Sequence, residues 1–233
     1  MRALLYCRRM DRTALITGGT GGLGRAVVAA FVANDWRVVV LDMRPAELEG
    51  ADVVQADLTD PDDVARAVQA ASAEPGAPLR AVANLVGGFA AGQPVAETPV
   101  AEFEAQFRLN LRPTYLVTQA ALPALAAAGG GAIVCVSSRS ALHPFAGAAG
   151  YCASKAAVIA FAQVVAREHA AGGIRCNAVL PQMIDTPANR ATTLPEQHGS
   201  LTPPTEIAAV IRFLCSAESA PTTGAAIPVY GGP

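Results

Sequence analysis

A tyrosine and a lysine stand four residues apart in the run Tyr-Cys-Ala-Ser-Lys, residues 151–155, which opens a long alanine-rich stretch. Four positions make about one helical turn, so a helix would place the Tyr151 phenol and the Lys155 ammonium on one face. A free phenol titrates near ~10, and a neighbouring cation favours the phenolate and lowers that pKa. The pair therefore predicts a tyrosine that gives a proton to a carbonyl oxygen or takes one from an alcohol.

A glycine-rich turn near the N-terminus is the second feature with chemical meaning. Residues 13–17 are an apolar run of strand length, and a helical pattern follows the glycines. Strand, glycine turn and helix form the context that a dinucleotide-binding fingerprint requires. Gly18 permits the tight turn, Gly22 lets the backbone approach a pyrophosphate, and Gly24 allows close packing of helix on strand. The helix N-terminus offers unpaired N–H groups to that anion. The predicted dinucleotide contacts of the turn are Gly18, Thr20, Gly22, Leu23 and Gly24.

The choice of dinucleotide depends on the next predicted strand, residues 37–42, which ends on Asp42. An acid about 20 residues past the glycines bonds the adenosine ribose hydroxyls. A carboxylate there repels a 2′-phosphate, so the sequence favours NAD as the cofactor. NADP stays open, because Arg44 stands close by and an arginine can pair with a 2′-phosphate.

The two motifs together resemble those of the short-chain dehydrogenase/reductase family. Thr17-Gly18, three residues and Gly22-Leu23-Gly24 match the cofactor motif of that family, and Tyr151 with Lys155 matches its catalytic pair. The resemblance runs from about residue 12 to the C-terminus. It implies an NAD(P)-dependent oxidoreductase that interconverts an alcohol and a carbonyl on a small molecule. Two alternatives on the same scaffold are a non-catalytic cofactor-sensing regulator and a non-redox lyase or isomerase.

Further matches extend the resemblance to other site residues. Ser138 lies thirteen positions before Tyr151, the usual family spacing, whereas Ser137 comes one step too early. The resemblance implies that Ser138 steadies the substrate oxygen and that Lys155 also bonds the nicotinamide ribose. It further implies that Asn110 holds a water linking Lys155 to solvent. The implied catalytic residues are Asn110, Ser138, Tyr151 and Lys155; the further implied cofactor contacts are Asp57, Leu58, Asn84, Gly87, Thr186, Tyr151 and Lys155.

The predicted substrate side comprises Phe89, His143 and Gln182, with Phe145 flanking the same mouth. Gln182 stands where the family usually has a glycine, and its side chain faces either the substrate or solvent. The loop around residues 188–204 is a short substrate loop. The alanine-rich helices 110–128 and 151–171 resemble those through which family members pair, which implies a homodimer or homotetramer.

Composition limits the function classes. The 233 residues are 52% hydrophobic and 15% charged, with a net charge of −2. This balance suits one domain around a buried parallel sheet and does not favour a nucleic-acid or membrane partner. Five cysteines without Cys-x-x-Cys spacing predict reduced thiols in a cytoplasmic protein, and three scattered histidines do not indicate a metal site.

Strand and helix patterns alternate along the chain, which predicts a single-domain α/β fold: a doubly wound parallel sheet (Rossmann fold) with helices on both faces. The domain is expected over residues 12–233, after an N-terminal extension, residues 1–11, that need not be ordered. Strands are predicted near residues 13–17, 37–42, 52–55, 80–86, 131–137, 174–180 and 226–229. Helices are predicted near residues 22–34, 61–73, 100–107, 110–128, 151–171 and 204–216.

Overall fold

Seven parallel strands form one sheet in the order β3-β2-β1-β4-β5-β6-β7. The computed structural model describes residues 10–231, so residues 1–9 of the predicted extension lie outside the described residues. The strands are β1 Thr13–Thr17, β2 Arg37–Asp42, β3 Ala51–Gln55, β4 Leu79–Asn84, β5 Gly131–Val136, β6 Ile174–Pro181 and β7 Ala226–Val229. The strand order reverses between β1 and β4, and a crevice opens at such a switch point, beyond the carboxyl ends of the strands.

Both faces of the sheet are buried, which is why its strands are apolar runs rather than alternating patterns. All five residues of β1 are buried, as are the four central residues of β2. One hydrophobic cluster lies on each face: Leu15 and Val39 belong to one, and Ile16 and Val40 to the other. The predicted doubly wound sheet with helices on both faces is therefore confirmed.

Seven α-helices lie in the described part of the chain, and the longer ones pack around the sheet. They are α1 Gly22–Val32, α2 Pro61–Ser72, α3 Val100–Asn110, α4 Arg112–Ala127, α5 Ala149–Glu168, α6 Pro187–Arg190 and α7 Pro204–Cys215. Helix ends differ from the predicted ones, most of all between α3 and α4 and in α5. Helix α3 continues to Asn110, and α4 begins after Leu111, because Pro113 has no N–H to donate to the preceding turn. The predicted substrate loop contains α6 and a 3₁₀ helix, Pro195–Ser200.

Helix α5 begins two residues before the predicted start and ends three residues before the predicted end. After Glu168 the chain forms a 3₁₀ turn, Ala170–Gly172, and Gly173 adopts a left-handed conformation with φ 69°. Tyr151 consequently lies in the first turn of the helix. Within residues 10–231, α5 alone has the length and mean hydropathy (1.4) of a membrane span. Half of that segment is buried inside the protein, as in the core helix of a globular domain.

Four of the five cysteines lie in the described part of the chain, and Cys7 lies outside it. Cys135, Cys152, Cys176 and Cys215 are buried free thiols. Burial raises the pKa of Cys215 to about 12, so its reactive thiolate form is disfavoured. These cysteines behave as small hydrophobic residues of the core.

Candidate functional site

One cleft of about 1340 Å³ lies at the carboxyl ends of the strands and brings most of the predicted site residues together. At one end it meets the glycine turn after β1, and at the other the first turns of α5. The predicted residues that line it are Gly18, Thr20, Gly22, Leu23, Gly24, Asp42, Asp57, Leu58, Gly87, Phe89, Ser138, His143, Tyr151, Lys155 and Gln182. Three predicted residues are not among its lining: Asn84, Asn110 and Thr186.

The glycine turn connects β1 to α1 in a conformation that requires glycine. Gly18 has a φ of +67°, in the left-handed region. A Cβ at Gly24 would lie 2.1 Å from the Gly18 carbonyl oxygen, so residue 24 has no room for any side chain. Gly21, the N-cap of α1, supplies no side-chain hydrogen bond. The first N–H groups of α1 are therefore available to an anion in the cleft.

The Asp42 carboxylate joins the end of β2 to the glycine turn. Its Oδ2 accepts hydrogen bonds from the Thr20 amide at 3.2 Å and from the Thr20 hydroxyl at 2.7 Å. Its Oδ1 accepts from the Arg44 amide at 3.2 Å. The Arg44 guanidinium forms no ion pair with Asp42, and Arg44 is exposed at the cleft edge. A fixed negative charge thus stands at this end of the cleft.

A second carboxylate, Asp57, lines the same end of the cleft just after β3. Its Oδ1 accepts hydrogen bonds from the Thr59 amide at 2.8 Å and from the Thr59 hydroxyl at 2.7 Å. These bonds lower the pKa of Asp57, so it stays ionised over the neutral range. The neighbouring Leu58 is buried beneath it.

Lys155 is a buried cation at the opposite end of the cleft. Its side chain is only 5% exposed, and Nζ donates to the Val136 carbonyl oxygen at 3.0 Å. Burial lowers the pKa of Lys155 to about 8. The Ser137 hydroxyl donates to the Lys155 carbonyl oxygen at 2.7 Å. The end of β5 therefore holds both the main chain and the ammonium of Lys155.

Tyr151 lies one turn before Lys155 in α5, and both line the cleft with Ser138. Burial raises the pKa of Tyr151, and the nearby Ser138 side chain opposes that change. The predicted lowering of this pKa by Lys155 is therefore wrong for the protein itself. The physical reason is that removal of the phenolate from water dominates, while the ammonium is bonded to the Val136 carbonyl oxygen. Ser138 is held in turn, because its Oγ accepts from the Ser140 amide at 3.1 Å.

Asn110 lies behind the cleft wall and is 1% exposed. Its Oδ1 accepts from the Gly88 amide at 2.9 Å, and its Nδ2 donates to the Ser154 hydroxyl at 3.2 Å. A Cβ at Gly87 would lie 2.7 Å from Asn110 Oδ1 and 2.9 Å from Lys155 Nζ, so glycine lets these groups converge. The amide of Asn110 thus positions the loop after β4 against α5, and its predicted role in holding a water stays a prediction.

The other two predicted residues outside the cleft lining have structural partners. Asn84 is 1% exposed and donates from Nδ2 to the Thr118 hydroxyl at 3.0 Å, which joins β4 to α4. Its side chain does not line the cleft, because it is bonded to Thr118 inside the protein, and its predicted cofactor contact stays a prediction. Thr186 caps α6, with Oγ1 accepting from the Asn189 amide at 3.2 Å. Its hydroxyl hydrogen remains able to donate.

Aromatic side chains surround the predicted proton donor. The Phe89 ring meets the Tyr151 ring edge to face, with centroids 4.9 Å apart, and lies 6.3 Å from the Phe145 ring. Phe89 is 63% exposed, so its ring is an apolar surface at the mouth of the cleft and not part of the core. His143 and Gln182 line the same end of the cleft, and the Gln182 side chain is half-buried there.

Ser154 is a site residue that sequence reasoning missed. Its hydroxyl donates to the Tyr151 carbonyl oxygen at 2.8 Å and accepts from Asn110, so it links the start of α5 to the end of α3. A signal was present: a serine three residues after Tyr151 in a helix can bond the carbonyl of the preceding turn. Arg139 was missed as well, and Ser137 was set aside in favour of Ser138, because their contacts join distant segments.

No metal centre accompanies these residues in the described structure. Within residues 10–231, no group of three or more His, Cys, Asp and Glu side chains could hold a metal ion. The site consists instead of a backbone cradle for an anion, two carboxylates at one end, and a serine, tyrosine and lysine at the other.

Comparison with known proteins gives consistent matches. Residues 12–197 match the family model described as short chain dehydrogenase. The chain is 37% identical over 192 residues to 2-(R)-hydroxypropyl-CoM dehydrogenase of Xanthobacter autotrophicus, covering 76% of each protein. It is 32% identical over 231 residues to the 3-oxoacyl-(acyl-carrier-protein) reductase MabA of Mycobacterium bovis, covering 96% of this chain and 93% of that protein. A solved structure of ElxO with NADP bound superposes with a TM-score of 0.88 at 27% identity, covering 96% of this chain and 98% of that one.

Proposed function

This chain belongs to the short-chain dehydrogenase/reductase family of oxidoreductases, and we propose that it interconverts an alcohol and a carbonyl on a small molecule with NAD as cofactor and Tyr151 as general acid and base. The observation that carries the proposal is the placement of Ser138, Tyr151 and Lys155 at one end of a cleft whose other end is the glycine turn. A non-catalytic regulator would have no use for the complete set.

The residues present fit a dinucleotide. The glycine turn leaves backbone N–H groups for a pyrophosphate, and a Cβ at Gly22 would lie 2.6 Å from the Thr186 methyl carbon, so the cradle has room only for backbone. Asp42 and Asp57 stand where the adenosine end would lie, and Lys155 where the nicotinamide ribose would lie. When bound, the cofactor supplies or removes the hydride at the substrate carbon.

The chain itself supplies orientation and the proton. In reduction, the Ser138 hydroxyl donates a hydrogen bond to the substrate oxygen, and Tyr151 transfers its phenolic proton to that oxygen as the carbon receives the hydride. The two electrons for the carbonyl would come from the bound cofactor as the hydride, and the Tyr151 phenolate left by the proton transfer would recover a proton from solvent. Because burial raises the pKa of Tyr151, the phenol is protonated at neutral pH and ready for this step.

NAD is the proposed nucleotide because of the charge at the adenosine end. The Asp42 carboxylate is bonded to Thr20 and lines the cleft, where a 2′-phosphate would meet it. The Arg44 amide, not its guanidinium, contacts Asp42. ElxO has the same fold and binds NADP, so the fold alone does not select NAD, and the proposal rests on Asp42.

A turnover screen tests the proposal. Purified protein is mixed with NAD or NADH and a panel of alcohols and carbonyls, while nicotinamide absorbance is followed. We expect turnover of at least one pair in both directions, and its loss in Tyr151→Phe. Tight cofactor binding without any oxidation or reduction across the panel would favour the alternative non-redox lyase or isomerase.

The proposed assembly is a homodimer or homotetramer that pairs through α4 and α5. Tyr115 on α4 and Phe161 on α5 have ring centroids 5.9 Å apart, and Val164 lies one turn further along α5. Tyr115 is 45% exposed and Val164 is 50% exposed. An apolar surface across two neighbouring helices is suited to an isologous contact with a second copy.

A further inference from the structure

Arg139 immediately follows Ser138 and lines the substrate end of the cleft. It opens the 3₁₀ turn Arg139–Ala141, and its carbonyl oxygen accepts from the His143 amide at 3.0 Å. The backbone of Arg139 is therefore held beside the residue that contacts Tyr151, while its side chain is exposed at the mouth.

The guanidinium of Arg139 contacts the aromatic ring of Tyr230 and forms no ion pair with a carboxylate in the described part of the chain. Its central carbon lies 5.5 Å from the centroid of the Tyr230 ring. Such a cation–π contact does not occupy the guanidinium N–H donors as a salt bridge would, so they remain available to a ligand. The ion pairs of arginine in the described part of the chain join other residues: Arg37–Asp52, Arg66–Asp63, Arg108–Glu104 and Arg190–Asp185.

The acidic residues are distributed unevenly along the cleft. Its two acidic lining residues, Asp42 and Asp57, both belong to the end that we assign to adenosine. The substrate end has Arg139 and His143 in its lining and no carboxylate. A cation without a nearby acid, at the mouth of a cleft that excludes part of the solvent, attracts an anion.

We propose that Arg139 selects a substrate that carries a carboxylate in addition to its reacting carbonyl or alcohol. The carboxylate accepts two parallel N–H bonds from the guanidinium, the geometry that arginine provides and lysine does not. The rings of Phe89 and Phe145 cover the apolar part of the same molecule. The preferred substrates are thus keto acids or hydroxy acids with an apolar body. This inference rests on the proposed function, because it concerns the same site.

Binding tests the assignment without turnover. The affinities of 3-phenylpropanoate and of its neutral amide are measured by calorimetry on the protein saturated with its nucleotide. We expect the carboxylate to bind at least about tenfold more tightly than the amide. Arg139→Gln should remove the preference, and Arg139→Lys should restore only part of it. Arg167→Gln is the matched control: Arg167 is exposed in the last turn of α5, far from the cleft, and its loss should leave the preference unchanged.

Turnover provides the second measurement. 4-Oxo-4-phenylbutanoate and its methyl ester are compared as substrates for reduction. The acid should have a higher kcat/KM than the ester. Arg139→Gln should lower kcat/KM for the acid, mainly by raising its KM, and should leave kcat/KM for the ester nearly unchanged.

The outcomes separate this inference from the proposed function. Equal affinity for carboxylate and amide, no binding of either, or a preference that survives Arg139→Gln would overturn the role of Arg139. If the protein binds the carboxylate more tightly than the amide through Arg139 but turns over no carbonyl or alcohol, the proposed function is refuted and the anion-binding role of Arg139 is retained.

Discussion

At the scale of single residues, the site depends on what surrounds each ionisable group. Tyr151 is partly removed from water beside Phe89, and this raises its pKa, while the nearby Ser138 side chain opposes the rise. Lys155 is buried and bonded to the end of β5. The environment of Tyr151 thus favours the neutral phenol, the form that the proposed proton donor needs, and Lys155 is a fixed hydrogen-bond donor one turn away.

Tyr151→Phe removes the proton donor and keeps the ring that packs on Phe89. We expect kcat to fall by about 10²–10⁴-fold, with cofactor affinity within about threefold of the wild type. Steady-state kinetics and nucleotide titration check both quantities. Tyr115→Phe, at an exposed tyrosine of α4, is the control and should keep full activity. A Tyr151→Phe variant with more than about a tenth of the wild-type kcat would contradict the role.

The two directions should differ in their response to pH. Oxidation needs the phenolate of Tyr151, and because burial raises the pKa of this group, kcat/KM for oxidation should rise with pH from neutral into the alkaline range. Reduction needs the neutral phenol, so its kcat/KM should stay level near neutrality and fall at higher pH. Profiles of both directions with one substrate pair test the sign. An oxidation profile that is flat or falls with rising pH would assign the proton to another group.

Asp42 should set the cofactor preference. We expect kcat/KM to favour NAD over NADP by at least about tenfold, roughly 1.4 kcal/mol, because the carboxylate faces the position of the 2′-phosphate. Asp42→Ala should narrow the difference by weakening NAD use and relieving repulsion of NADP. Asp52→Ala, which removes an exposed acid of β3 paired with Arg37, is the control for net charge. An NADP preference in the unmodified protein would show that Arg44 dominates.

At the scale of helices and strands, the sequence was informative where one local pattern decides the structure. The apolar runs that became β1 and β2 were visible because both sheet faces are buried. Helix ends were harder to predict from the sequence. Helix α5, for example, begins at Ala149 without a capping side chain that would mark its start. The inward-facing partners of Asn84 and Asn110 were not visible, since they depend on contacts with α4 and α5 across the fold.

The turn between β1 and α1 should tolerate no side chain at residue 24. A Cβ there would lie 2.1 Å from the Gly18 carbonyl oxygen, and backbone cannot yield as a flexible side chain can. We expect Gly24→Ala to lower the free energy of unfolding by about 2 kcal/mol or more and to weaken dinucleotide binding. Urea denaturation and nucleotide titration measure the two effects.

Gly21→Ala is the matched control for that substitution. Its Cβ would lie 3.4 Å from the same oxygen, which is ordinary contact, and its φ of −72° suits any residue. We expect a change below about 1 kcal/mol. Equal destabilisation by the two variants would show that the turn adapts and that close packing at Gly24 is not what it requires.

At the scale of the whole molecule, the fold separates three surfaces. The carboxyl ends of the strands form the cleft, the two faces of the sheet are covered by helices, and α4 with α5 presents apolar side chains outward. Helix α5 serves two of these surfaces, because its first turns carry Tyr151 and Lys155 and its later turns carry Val164. Pairing of two copies would therefore stabilise the helix that carries Tyr151 and Lys155.

The assembly should be measurable in solution. We expect a dimer or tetramer in sedimentation velocity, and Val164→Glu should shift it toward the monomer, because a buried unpaired carboxylate is costly. Gln163→Glu introduces the same charge at the adjoining exposed position and should leave the assembly unchanged. A monomeric wild-type protein at micromolar concentration would refute pairing through this surface.

The bond between Asp42 and Thr20 has an evolutionary consequence. Because the carboxylate also fastens the glycine turn to β2, replacing it alone leaves the Thr20 hydroxyl and amide without their acceptor. The two positions are then epistatic: the effect of changing one depends on which residue occupies the other. A lineage that exchanges one nucleotide for the other would have to cross an intermediate that uses neither well, unless residue 20 changes first. If Asp42 sets the coenzyme preference as we propose, that preference is a trait of the Asp42–Thr20 pair and resists drift by single substitutions.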